Sequence, residues 1–148
     1  MINSLFLFLR IGAYTFLLPF LIRIFSLNYL LNLLTPSDVR ENQKAGSREQ
    51  KEKDEIIEKI QRYTKFWLMV FHPLSPAICW RRSILFYTFF RKAGMPVKLH
   101  FGIQANHSGF PFHHLIGHSW LTLNGTIFLE KKELSKGFKI TYTFPPEQ

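Results

Sequence analysis

A chain of 148 residues has room for one domain with a real core and at most one appendage, and 47% apolar residues, including 16 Phe, can fill that core. A single cysteine excludes an intrachain disulfide and fits a reducing compartment such as the cytoplasm. The formal charge of +9 is spread along the chain rather than gathered with aromatics into one patch, and no aromatic RNP motif occurs, which argues against nucleic acid as a partner.

Residues 1–34 are strongly apolar, interrupted by Arg10 and Arg23 with Pro19 between them. The uncharged run from Ile11 to Ile22 is shorter than the roughly 20 residues of a spanning helix. A snorkelling Arg10 would extend it from Leu5 to Ile22. No basic residue precedes the stretch and no small-residue cleavage site ends it, which disfavours a signal peptide. Three placements stay open: helices docked on the rest of the protein, an anchor on a membrane surface, or a membrane span. Thr35-Pro36 closes this segment, and residues 37–54 are polar and charged, reading as a linker or an exposed helix start.

A helix is predicted from about Asp54 to Val70, because Ile56, Ile57, Ile60, Tyr63, Trp67 and Val70 recur at three- and four-residue steps. Pro73 and Pro76 break it. A second helix runs from there to about Ala93, ended by Gly94 with Pro96 beyond, with Ile84, Leu85, Thr88 and Phe89 as its buried face. Cys79 falls at its start, where unpaired backbone N–H groups and the positive end of the helix dipole stabilise a thiolate. The competing reading is an inert core cysteine.

After Pro96 the period changes to two. Val97, Leu99, Phe101 and Ile103 alternate with Lys98, His100 and Gly102, a half-buried strand. Residues 105–117 read as a loop, and 118–123 with 126–131 as a hairpin about Asn124-Gly125. Phe138, Ile140, Tyr142 and Phe144 make a last strand. Helices followed by antiparallel strands predict an α+β fold.

Cys79, His118 and Glu130 in this order read as a Cys-His-acid nucleophilic site. The histidine and the acid must then share a face of the hairpin. A two-residue turn at Asn124-Gly125 pairs Ser119 with Glu130 and puts His118 on the opposite face. A three-residue loop (Leu123, Asn124, Gly125) pairs Trp120 with Phe128 and His118 with Glu130, and this register is the one expected. Trp120 would then pack on Phe128 and shield the histidine, within reach of substrate. Five of the six histidines lie between His100 and His118, but Gly109, Pro111 and Gly117 argue against the helix that a zinc-binding His114–His118 pair would need, so no metal is expected. His113 and His114 are placed in a loop near the cleft, in reach of substrate, and His72 and His100 are structural or on the surface.

Cys79-Trp80-Arg81-Arg82-Ser83, Gly94-Met95-Pro96, Phe101-Gly102-Ile103, His118-Ser119-Trp120 and an acid 12 positions beyond the histidine together resemble the transglutaminase-like leader peptidases of lasso-peptide biosynthesis, the B-type proteins, in their stand-alone protease form. The likeness covers about residues 55–132. It implies a papain/transglutaminase-like core, a nucleophile helix packed on an antiparallel sheet. Cys79 would be its nucleophile, His118 the base and Glu130 the orienting acid. Ser119 and Glu130 depart mildly from the family's usual Ala and Asp. Arg82 and Ser83 match a family motif beside the nucleophile; they would hold the helix or touch the peptide, although Arg82 also fits a solvated helix charge.

The organisation implied is an apolar helical segment (1–36), a polar linker (37–54) and a peptidase core (55–148). The reaction implied is removal of the leader from a ribosomally made precursor peptide, without a cofactor. No recognition module fits in residues 1–54, so a separate leader-binding protein is expected as partner, beside an asparagine-synthetase-like cyclase and, through residues 1–34, a membrane surface. The rival readings are a transglutaminase-like acyltransferase or amidase of another pathway and a non-catalytic membrane-associated interaction protein.

Overall fold

The structure, a computed structural model, describes residues 4–36, 47–71, 78–106 and 114–146. The chain divides into two compact units, Met1–Pro96 and Val97–Gln148. The elements are helices and an antiparallel sheet, the α+β class that the change of period predicted.

The first unit holds α1 (Ser4–Ile24), α2 (Leu27–Leu34), α3 (Ser47–Val70) and α4 (Ile78–Lys92). Its core is Ile11 and Leu18 of α1, Leu30 and Leu31 of α2, Ile60 of α3, and Ile84, Leu85 and Phe90 of α4, each no more than 1% exposed. The apolar N-terminal segment is thus docked by one face on α3 and α4. α1 runs through Pro19 without a break. Proline has no N–H, so the carbonyl of Thr15, four residues earlier, loses its helical donor. Arg81 of α4 replaces it: its buried guanidinium donates through Nη2 to the Thr15 carbonyl at 3.0 Å. Burial pulls the pKa of Arg81 below the ordinary arginine value. Trp67 Nε1 donates to the Phe8 carbonyl at 2.9 Å, and the hydroxyls of Thr35 and Tyr87 bond at 2.9 Å, tying α3 to α1 and the end of α2 to α4.

Two expectations for these helices change. α3 begins at Ser47 rather than near Asp54, so the charged stretch from Ser47 to Asp54 belongs to the helix. Its buried line runs through Ile60, Thr64 and Leu68, whereas Val70 is exposed, because spacing by four follows the face that meets α1 and α4. The face predicted for α4 is buried throughout. α4 ends in a Schellman arrangement: Met95 N–H donates to the Phe90 carbonyl and Gly94 N–H to that of Arg91, both at 3.0 Å. The prolines predicted to separate α3 from α4, Pro73 and Pro76, lie outside the described residues together with His72.

The second unit holds β1 (Val97–Asn106), β2 (His114–Leu123), β3 (Thr126–Phe128), α5 (Lys132–Ser135) and β4 (Lys139–Phe144), with sheet order β3-β2-β1-β4. β1 and β2 pair along their whole lengths, so both strands reach well into the stretch expected as a loop. β3 is half the expected length, and the chain after it turns into α5. β4 pairs with β1 through a register shift between Phe101 and Gly102 that leaves Thr141 as the extra residue. That bulge breaks the expected alternation: Phe144 is buried while Ile140 is half exposed.

Candidate active site

In β2 alternate residues share a face, so His118 and Trp120 lie side by side, opposite Gly102 and His100 of β1. The rings form a stack. Trp120 lies 5.8 Å from His100 at 24° and 5.9 Å from His118 at 22°, and Phe138 closes on His118 at 5.2 Å. A side chain at position 102 would occupy the space of the Trp120 ring, since a Cβ built there meets that ring at 2.8 Å. Gly102 therefore sits where the sheet must admit an indole lying flat beside the histidine. His100 is buried, not on the surface, and its ring nitrogens bond to the hydroxyls of Thr143 (3.0 Å) and Thr122 (2.8 Å). It cross-links three strands beneath the stack.

His118 Nε2–H donates to Glu130 Oε1 at 2.6 Å, with the two side chains 16% and 5% exposed. The charge-assisted bond is short, and removal from water strengthens it. With Nε2 held by the carboxylate, Nδ1 is the nitrogen that can take and return a proton.

The dyad forms by a different route from the one expected. Asn124 and Gly125 both have left-handed φ, 51° and 78°, the two-residue turn that the three-residue loop was meant to exclude. Leu123 pairs with Thr126, Thr122 with Ile127 and Leu121 with Phe128. Asn-Gly fills two left-handed positions at low cost, and such a turn matches the twist of the flanking strands. Continued by two, this ladder would set Glu130 opposite Ser119 and away from His118. The ladder instead stops at Phe128. Leu129 adopts φ 63°, a left-handed conformation costly for a leucine, and this single residue resets the alternation so that Glu130 turns to the face of His118. Phe128 consequently pairs with Leu121 rather than with Trp120, and Trp120 packs on Gly102, the two histidines and Phe138.

Cys79 is the second residue of α4, a half-buried free thiol. Its backbone N–H is among the first four of the helix, which have no partner within it. Of the other residues expected to touch substrate, Ser83 is 3% and Trp120 5% exposed, so both act from within their units. Arg82 is half-buried. His114 opens β2, paired with Asn106 rather than in a loop, and His113 lies outside the described residues. Phe138 was missed as a wall of the dyad because the sequence places it in β4; it precedes the strand. No group of three or more His, Cys, Asp or Glu stands together as a metal site among the described residues.

The family model described as the transglutaminase-like superfamily matches residues 15–143, from the middle of α1 into β4. That superfamily is one of cysteine-peptidase and acyltransferase type. No curated protein and no solved structure matches the chain.

Proposed function

We propose, given that this chain belongs to the transglutaminase-like superfamily, that it is a cysteine peptidase that removes the leader from a lasso-peptide precursor. The observation that carries the catalytic reading is the short, largely buried His118–Glu130 bond, walled by Trp120 and Phe138. A histidine held this way has one nitrogen fixed as donor and the other left for proton transfer, the pattern of a general base with its orienting acid. Cys79 supports the reading from its place at a helix N-terminus. The lasso pathway itself rests on the resemblance of the motifs.

In this reading His118 takes the proton of the Cys79 thiol, and the sulfur attacks the carbonyl at the leader junction. The tetrahedral oxyanion is met by backbone N–H at the start of α4. Collapse breaks the C–N bond, His118 delivers its proton to the leaving amine, and a thioester remains. Water, deprotonated by the same imidazole, then releases the carboxylate and the thiol. A separate leader-binding protein delivers the precursor in the cytoplasm, and an ATP-using cyclase of asparagine-synthetase type consumes the product.

The test is cleavage of a precursor by the purified protein with its leader-binding partner. Cys79→Ala abolishes cleavage. Glu130→Gln keeps the fold and lowers kcat by about 10²-fold or more, the range of a general acid–base contribution. Cleavage that survives Cys79→Ala refutes the peptidase. Transfer of the acyl group to an added amine in place of hydrolysis would assign the acyltransferase reading instead.

A further inference from the structure

α1 is apolar on every side, yet only one side is covered. Ile11, Thr15 and Leu18 face α3 and α4, while Leu5, Leu9, Phe16, Leu17, Phe20 and Ile24 are each 44% or more exposed. At 100° per residue these six fall on one face. Together they present roughly 600 Å², at the upper end of the largest patch on an ordinary monomer. The patch continues onto the end of α3, where Phe66 packs on Phe8, Phe71 packs on Phe16, and Met69 is 69% exposed.

Within α1 and α2 the charge has one sign. Arg10 and Arg23 are exposed and lie on its opposite flanks, and residues 4–36 contain no Asp or Glu. Exposed Arg62 and Lys65 stand beside Phe66. Next to Phe6 opens a cavity of about 310 Å³, lined by apolar side chains together with Arg10 and Lys92. Lys92 Nζ donates to Tyr14 Oη at 2.8 Å. Burial alone would raise the pKa of Tyr14, but these same two cations, Lys92 and Arg10, outweigh it and hold the phenol below its ordinary value.

A span does not fit this arrangement. α1 is 21 residues long and apolar enough to cross a bilayer. Its inner face, however, is joined to α3 and α4 through Trp67 and Arg81, and crossing would carry the charged length of α3 into lipid with it. A second copy seated on the face would bring the same arginines against each other.

We propose that the outer face of α1 docks this protein onto an anionic bilayer, lying in the plane of the interface, with Leu5, Leu9, Phe16, Phe20 and Ile24 in the acyl boundary and Arg10, Arg23 and Lys92 on lipid phosphates. An apolar stripe flanked by cations is what such an interface accepts. The inference is independent of the catalytic reading and is measured without it.

The test is flotation of the full chain with vesicles of phosphatidylcholine alone and of an equal mixture with phosphatidylglycerol. The wild-type protein partitions at least tenfold more strongly onto the mixture, and added salt weakens that preference. Phe20→Glu and Leu9→Glu each lower partitioning tenfold or more while leaving the thermal unfolding curve in place, since both side chains are over half exposed. Arg10→Gln and Arg23→Gln lower the preference for the anionic vesicles by about fivefold each. Absence of partitioning onto the mixture overturns the proposal, as does partitioning that survives both glutamate variants. A dimer that fails to float and dissociates on Phe20→Glu also overturns it and gives the face to a second copy.

Discussion

Replacing Gly102 by alanine asks whether the aromatic stack positions the histidine. A Cβ at that position meets Cη2 and Cζ3 of Trp120 at 2.8 and 2.9 Å and the Lys139 carbonyl oxygen at 3.1 Å. Either the ring or the backbone must move. The indole is 5% exposed and bounded by His100, His118 and Phe138, so a shift of the ring is passed on to its neighbours. Overpacking of this kind costs about 1–3 kcal/mol. For a chain of this size that lowers the melting temperature by roughly 2–12 °C. Urea and thermal unfolding, followed by circular dichroism, read the loss. Both clashing atoms belong to the six-membered ring of the indole, so Trp120→Phe removes them. In that background Gly102→Ala should cost at least about 1 kcal/mol less, a coupling that a double-mutant cycle isolates. Gly117→Ala is the control, because nothing lies within 4 Å of its added carbon. Wild-type stability for Gly102→Ala, or an equal cost in both backgrounds, refutes the reasoning.

Arg81→Met removes the donor that serves the Thr15 carbonyl and is expected to cost about 1–3 kcal/mol in urea unfolding, the usual range for a stranded buried acceptor. Adding Pro19→Ala returns a backbone N–H to that carbonyl, so the cost of Arg81→Met should shrink; if it is the same with proline and with alanine, the guanidinium is not standing in for the missing helical bond. Leu129→Gly relieves a left-handed leucine and should gain up to about 1 kcal/mol, the strain of roughly 1–2 kcal/mol less the entropy of a new glycine. Leu129→Val, branched at Cβ, should lose stability and precursor cleavage together; a destabilising glycine would show that φ at this position is not under strain.

Much of the fold was legible because it depends on local periodicity. The predicted stripe of α4 and the first steps of the alternation after Pro96, Val97 and Leu99, report burial directly. The alternation fails by Ile103, which is exposed while His100 and Gly102 are buried. Gly94 with Pro96 marks the boundary where one period gives way to the other. The His118–Glu130 pair was legible in kind, a histidine and an acid on one hairpin, as was the place of Cys79 at a helix start. Alternation failed where a single residue left the pattern. Leu129 carries no turn signature, so the route that brings Glu130 to His118 is invisible to a counting argument that assumes the strand continues. That same assumption set aside the two-residue turn that Asn124-Gly125 does adopt.

Residues far apart in the chain were harder still. His100 could be read as structural or on the surface until three strands assembled around it, and the close approach at Gly102 found its partner only when the Trp120 ring came to lie over it. The sequence alone determined the order of the main helices and strands, though not their bounds or α5, and that α1 is apolar all round, because propensity and hydropathy belong to neighbouring residues. Only the tertiary structure decided which side of α1 is covered, which buried cation serves the carbonyl that Pro19 leaves without a donor, and which face Glu130 takes. Those outcomes depend on contacts between distant residues and on one left-handed φ, which no local pattern records.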